Sequence, residues 1–275
     1  MSDKNNLEEL MTEYYKKYYK TELGLSDWQE RVDLRLNEEE VFCTKYINLI
    51  EELLSYDFSG KKVLVVGCGT GGELVNFHKK GAQVYGIEPN QDAIKICNIK
   101  ALKNEIPKDN IIKSYSEKLP FDNNQFDLIY CFTVLEHVND IEQSIKEMIR
   151  CTKVKGKLFI ELPNYRQLYE AHYKLPLPMF LPIWFNKIIL RLLRRPVDYL
   201  DTLNIATTRQ LRNIYRNSPE VIPMLVLLDD KLFKMRKIRF NLVFVIQGIQ
   251  FLIFKIFNQS ANQIWILHKT NTSKL

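Results

Sequence analysis

The sequence predicts an α/β protein built on a doubly wound, mostly parallel sheet. Five short apolar runs carry that prediction: KVLVVG ending at Gly67, AQVYGIE (82–88), NIIKSY (110–115), FDLIYCF (126–132) and GKLFIEL (156–162). Each is rich in Val or Ile, ends in Gly, Pro or polar residues, and is separated from the next by a helical pattern. Strands that are apolar throughout need both faces covered, and right-handed crossovers then wind helices onto each side. The second observation is a glycine-rich bend, VLVVGCGTGGELVNF (63–77), where a strand turns directly into a helix. The third is composition. Apolar residues are 46% and charged residues 26% of the 275, with only 10 Gly and 10 Pro, which fits a packed globular chain.

Residues 1–57 read as an N-terminal helical cap. Leu7, Leu10, Met11, Tyr14, Tyr15, Tyr18 and Tyr19 recur at helical spacing and are expected to form a packing face. A second helix follows Ser26 and Asp27, and a third runs from about Glu38 to Ser55. The strand-and-helix alternation occupies 58–165. It fails from Pro163 to Lys237, so 166–260 is expected to be a helical, basic and apolar region on the substrate side. Within it lie LPLPMFLPIWF (175–185), then NKIILRLLRR, and a helix TTRQLRNIYR (207–216) with Thr207 as N-cap. The basic block KLFKMRKIR (231–239) precedes FNLVFVIQGIQFLIFKIF (240–257). QIWILHK (263–269) reads as a last strand, within a final segment 261–275.

Cys43, Cys68, Cys97, Cys131 and Cys151 are odd in number and widely spaced, without a CxxC pair. Reduced thiols in a cytosol are therefore expected, rather than a disulfide framework or a zinc site. The opening MSDKNNLEEL is polar and acidic, unlike a signal peptide.

The bend and a carboxylate about 20 residues later form a joint signal. Gly67, Gly69 and Gly71 free the backbone for a tight turn and let a ligand approach without a Cβ in the way. Glu88, at the tip of the second run, is placed to accept hydrogen bonds from ribose hydroxyls. Residues alone leave two cofactors open, a nicotinamide dinucleotide and S-adenosylmethionine. GCGTGG, SEKLPF (116–121), FDLIYCFTVLEHV (126–138) and KVKGKLFIELPN (153–164) resemble, in order and spacing, the motifs of class I S-adenosylmethionine-dependent methyltransferases of the ubiquinone and glycan type. That resemblance covers about 61–165. It implies a Rossmann-like, doubly wound, seven-stranded sheet with N-terminal helices and a helical insertion after strand five.

Carried onto this sequence, the resemblance implies that Gly67, Cys68, Gly69 and Gly71 line the methionine moiety and ribose. Glu88 holds the ribose hydroxyls, with Ile87 or Pro89 flanking adenine. Ser116 and Glu117 stand at the adenine edge, and Cys131, Phe132 and Thr133 close the floor. Two positions depart from the pattern: Val65 replaces an acid two residues before the first Gly, and Tyr115 replaces an Asp before the SEKLPF loop. Each removes an expected polar contact.

Methyl transfer from a sulfonium needs an aligned acceptor and, for an alcohol, a base. His137 in the LEHV motif and His172 in ELPNYRQLYEAHYKLP are the candidates, with Tyr165, Glu170 and Tyr173 as neighbours. The EAHYKLP segment resembles a stretch in methyltransferases of glycan and lipid-linked sugar clusters. No metal is expected: the E-x-x-E-H pattern of ubiquinone-pathway O-methyltransferases has Thr133 in place of its first acid.

The expected acceptor is a sugar or lipid-linked glycan, or alternatively a small soluble molecule such as a quinone precursor or natural product. A non-catalytic cofactor-binding or membrane-associated scaffold is the competing class. Nucleic acid is not expected, since the net charge of +6 is mixed with long apolar runs and no RNA-binding module is recognisable. Segments 175–195 and 231–257 combine basic and apolar residues, so peripheral contact with anionic membrane is expected, at the inner face of a cytoplasmic compartment.

Overall fold

A computed structural model describes residues 2–166, 169–226 and 262–271. Three helices come first: α1 (Ser2–Lys16), which runs on as a π-helical turn over Lys17–Glu22, α2 (Trp28–Asn37) and α3 (Glu39–Leu54). The alternating part follows as β1 (Lys62–Val66), α4 (Gly72–Lys79), β2 (Gln83–Ile87), α5 (Gln91–Lys103), β3 (Ile111–Ile112), β4 (Phe126–Phe132), α6 (Ile141–Cys151) and β5 (Thr152–Pro163). A short hairpin, β6 (Tyr169–Glu170) and β7 (Leu175–Pro176), leads to α7 (Ile183–Leu192) and α8 (Thr208–Arg216). The sheet is completed by β8 (Val221–Val226) and β9 (Asn262–Lys269).

Seven strands form one sheet in the order β3-β2-β1-β4-β5-β9-β8. β1 to β5 are parallel neighbours, whereas β9 runs antiparallel to both β5 and β8. The chain leaves β1 in one direction for β2 and β3, then returns to place β4 on the other side. A crevice therefore opens at the carboxyl ends of β1 and β4, where ligands of open α/β sheets bind.

The apolar runs become strands because each is buried on both faces. Val63, Leu64, Leu128, Ile129, Tyr130, Leu158 and Ile160 are all at most 1% exposed. One face packs on α6 and α8 through Ile141, Ile145, Met148, Ile149, Leu211 and Ile214. The other is covered by α3, α4 and α5 through Ile47, Ile50, Leu74, Phe77, Cys97 and Ala101. Helix starts follow local chemistry. Asn90 accepts from the N–H groups of Asp92 and Ala93, Asp140 from that of Gln143, and Thr207 from that of Gln210, as expected of an N-cap.

Three strand boundaries differ from the sequence pattern. β3 is two residues long rather than 110–115, since Lys113 and Tyr115 already face solvent. β5 begins at Thr152, ahead of the apolar run, because Thr152 pairs with Phe126 across an irregularity in the ladder. β8 was hidden in the stretch without alternation: VIPMLV carries Pro223, tolerable only because β8 is an edge strand. The stretch 240–257 lies outside the described residues.

The first 57 residues do not behave alike. α1 and α2 build a separate apolar cluster with Tyr165, Tyr173, Leu177, Leu190 and Leu200, whereas α3 inserts Ile47 and Ile50 directly beneath β1. Ile50→Ala is expected to cost about 2–5 kcal/mol, as for any large-to-small change in the sheet core. Urea denaturation measures it, and a loss below about 1 kcal/mol would mean that α3 is separable from the sheet.

Candidate active site

The bend between β1 and α4 holds three glycines in the left-handed region, Gly67, Gly69 and Gly71, with φ of +66°, +50° and +90°. They serve different ends. A Cβ on Gly67 would meet Val134 Cγ2 at 2.4 Å, and one on Gly71 would meet Cys97 Sγ at 2.8 Å. A Cβ on Gly69 would meet nothing within 4 Å, so it would project into open space at the mouth of the crevice.

Glu88 closes this bend from β2. One carboxylate oxygen accepts from Gly69 N at 3.0 Å and the other from Asn90 N at 2.8 Å. Burial pushes its carboxyl above the usual range, while these two N–H groups oppose the shift. A half-buried carboxylate aimed across a glycine bend, beside space that a side chain would fill, has the acceptor chemistry to take the two hydroxyls of a ribose.

Other expected cofactor residues divide by burial. Cys68, Ile87 and Cys131 are each at most 1% exposed, with side chains inside the core, so only their backbone can reach a ligand. Of the two residues expected to flank adenine, Ile87 is buried and Pro89 beside it is partly accessible. Ser116 is buried and bonded to Ser144 Oγ at 2.9 Å. Glu117 accepts from Asn139 N at 2.9 Å, bracing the loop after β4. Phe132 packs on Tyr46, ring centroids 4.6 Å apart, and Thr133 is exposed with φ +51°. That left-handed Thr, its N–H held by Glu161 O at 3.0 Å, turns the chain abruptly out of β4 and into the Leu135–His137 turn. Of the two departures from the family pattern, Val65 is buried in the core and Tyr115 is exposed.

α1 lies against the bend. The Tyr15 hydroxyl sits 2.9 Å from Thr70 Oγ1, Thr70 donates to Glu39 at 2.6 Å, and Glu39 is paired with Lys100. The tyrosine face therefore packs as expected and also carries polar ties that helical spacing could not reveal.

The acceptor side is assembled by the β6–β7 hairpin and the turn after β4. Glu170 Oε1 is 2.6 Å from His172 Nδ1, and its Oε2 accepts from Tyr173 N at 2.7 Å. Burial pushes the Glu170 carboxyl up, but these bonds hold it below the usual range, so it is ionised. With Nδ1 engaged, Nε2 is the nitrogen left to take a proton. The His137 ring stands 5.6 Å from that of His172, and Tyr199 lies 5.3 Å from His172. Tyr199 reaches back to the Tyr18 hydroxyl at 3.2 Å. His137 is exposed, and the cover on part of its ring together with His172 beside it pushes its imidazole down.

Sequence reasoning missed Glu136. Its side chain is wholly buried and neither carboxyl oxygen has a hydrogen-bond partner. Burial pushes the carboxyl up to about 7 against the opposing pull of His172. Among the described residues, Glu136, His137 and His172 form the one grouping of three or more His, Cys, Asp or Glu whose donor atoms lie within 4.8 Å of one another. Glu136 and His137 are adjacent in sequence, but His172 arrives only through the hairpin, which no spacing rule foretells.

Residues 64–160 match the methyltransferase domain family. A ubiquinone biosynthesis O-methyltransferase of Xanthomonas oryzae is 32% identical over 108 residues, 39% of this chain and 45% of the relative. A protein of the same name from Klebsiella pneumoniae is 30% identical over 105 residues, covering 38% of this chain and 43% of the relative. The chain thus spans less than half the length of the curated relatives it matches. Among solved structures, a SAM-dependent methyltransferase from Archaeoglobus fulgidus superposes with a TM-score of 0.51 at 20% identity, covering 84% of this chain and 95% of the other.

Gly69→Ala is expected to weaken binding of S-adenosylhomocysteine at least about tenfold while costing about 1–2 kcal/mol of stability through its backbone angle. Gly67→Ala instead meets Val134 and destabilises by about 1–3 kcal/mol or more. Calorimetric titration and urea melts of both variants check the contrast.

Proposed function

We infer that this chain is a class I S-adenosylmethionine-dependent methyltransferase that moves a methyl group, in one in-line step, to an oxygen of a hydroxylated acceptor. The observation that carries this is the Glu170–His172 pair, held beyond the carboxyl end of β5 while Glu88 and the glycine bend occupy the carboxyl ends of β2 and β1. All three ends lie on the same edge of one parallel sheet.

When bound, S-adenosylmethionine supplies an activated methyl on a sulfonium. Gly69 would leave room for it, and Glu88 would hold its ribose hydroxyls. Alignment of this kind supplies about 7–11 kcal/mol of the barrier. His172 Nε2 takes the acceptor's hydroxyl proton as the new C–O bond forms. Glu170 keeps Nδ1 protonated, orients the ring, and balances the imidazolium. His137, neutral, and Tyr199 wall the acceptor space.

The acceptor best supported is a small molecule such as a quinone precursor or natural product, because the relatives that match the domain are named for O-methylation in ubiquinone biosynthesis. A sugar or lipid-linked glycan is the second proposal, favoured by the surface of the insertion. Phe180, Trp184, Leu192 and Leu193 are each more than half exposed, and residues 171–197 contain no acid while carrying Lys174, Lys187, Arg191, Arg194 and Arg195. Such a face suits peripheral contact with anionic lipid. The companion segment 231–257 lies outside the described residues. No described helix is long and apolar enough to cross a membrane.

His172→Asn is expected to lower kcat by about 10²–10⁴-fold with cofactor affinity unchanged, whereas Glu88→Ala raises the cofactor Kd. Calorimetry with S-adenosylhomocysteine, then turnover on a panel of phenols, sugars and lipid-linked sugars, decides both. Cofactor binding without turnover on any acceptor would favour a scaffold. Flotation with liposomes containing phosphatidylglycerol at low salt should recover the protein, and Trp184→Asp with Leu192→Asp should abolish recovery. No flotation of the unaltered chain removes the membrane proposal.

A further inference from the structure

Glu136 is a buried carboxyl beside His172 that the reaction above leaves unused. Its side chain has no solvent contact, and neither oxygen is bonded. The titratable groups that face it are His172 and Glu170 from the hairpin, Glu161 from β5, Cys131 from β4, Tyr165, and Tyr199 from the turn after α7. None of these is a lysine or arginine. His137 lies equally close, but its imidazole is held down, so His172 is the countercharge left to an ionised Glu136; one donor atom of each of the three residues lies within 4.8 Å of the others.

We propose that Glu136 is coupled through space to His172, which makes it a positioning residue that sets the pH at which the His172 base becomes free. An isolated carboxylate in such a place is costly, so Glu136 ionises when His172 is protonated, and holds the proton itself when the imidazole is neutral. Glu170 cannot play this part, because its two oxygens are already committed to Nδ1 and Tyr173 N. The upward push on Glu136 to about 7 agrees with a group that changes charge in the same range as an imidazole.

The proposal rests on the base role of His172 only for its kinetic arm. Glu136→Gln keeps the shape and removes the negative charge. Loss of an opposite charge within about 4–6 Å lowers an imidazole pKa by about 1–3. The acidic limb of kcat/KM should therefore move to lower pH. At pH values below both limbs the variant should exceed the unaltered enzyme by about tenfold for every whole pH step the limb has moved. A variant that is merely slower, with the limb unmoved, overturns the proposal. The second arm needs no turnover. Histidine titration by ¹⁵N NMR on the full chain, with EDTA and without cofactor or acceptor, should show His172 titrating in two coupled steps, and in one lower step in Glu136→Gln. Should that variant fail to fold, ¹³C NMR of the unaltered chain decides. A Glu136 carboxyl titrating near neutrality together with His172 supports the proposal, and one titrating alone below pH 5 overturns it. An NMR response without activity upholds the pair and removes the base role; activity without that response does the reverse.

Discussion

The bridge that Glu88 makes between Gly69 N and Asn90 N is the constraint from which the rest of the site takes its position. It ties the end of β2 to the turn after β1, and so fixes where α4 and α5 begin relative to the sheet. Without a side chain at Gly69 the turn remains open on its outer side. A carboxylate satisfied by two backbone N–H groups is rigid, yet each oxygen keeps a lone pair for a ligand hydroxyl. The arrangement is thus set before any ligand arrives, and binding need not order it.

The acceptor side is built on a different principle. A hairpin of two-residue strands has little stability of its own. Here it is anchored from outside, by Tyr173 and Leu177 within the cluster that α1 and α2 form, and by Arg195 donating to Tyr173 O at 3.3 Å and to Leu23 O at 2.6 Å. The cofactor bend is fixed by the sheet itself. The surroundings of His172, by contrast, are made by a hairpin and turns that lean on the peripheral helices. Such a division lets the acceptor change while the methyl donor stays the same.

Legibility in the sequence followed the same division. β1, β2, β4 and β9 were readable because continuous burial leaves a run of Val, Ile and Leu with polar ends. The bend was readable because its φ angles admit little but glycine, and Glu88 because its distance from the bend is fixed by one βαβ unit. β8 was not, although VIPMLV is apolar throughout, since Pro223 breaks a strand pattern and is admitted only at the sheet edge. The Glu136–His172 approach was not readable either. It joins residues 36 apart through a hairpin whose own pattern is two residues per strand.

The chain of contacts from Tyr15 through Thr70 and Glu39 to Lys100 joins the first helix to the floor of the cofactor crevice. A cover fastened to its own floor makes occupancy of the crevice and the folding of the amino-terminal helices parts of one equilibrium. Whatever stabilises the occupant also stabilises the tyrosine face, and through Tyr18 and Tyr199 the wall beside His172. The first helix and its π-helical continuation thus touch both the glycine bend, through Tyr15, and the ring beside His172, through Tyr18.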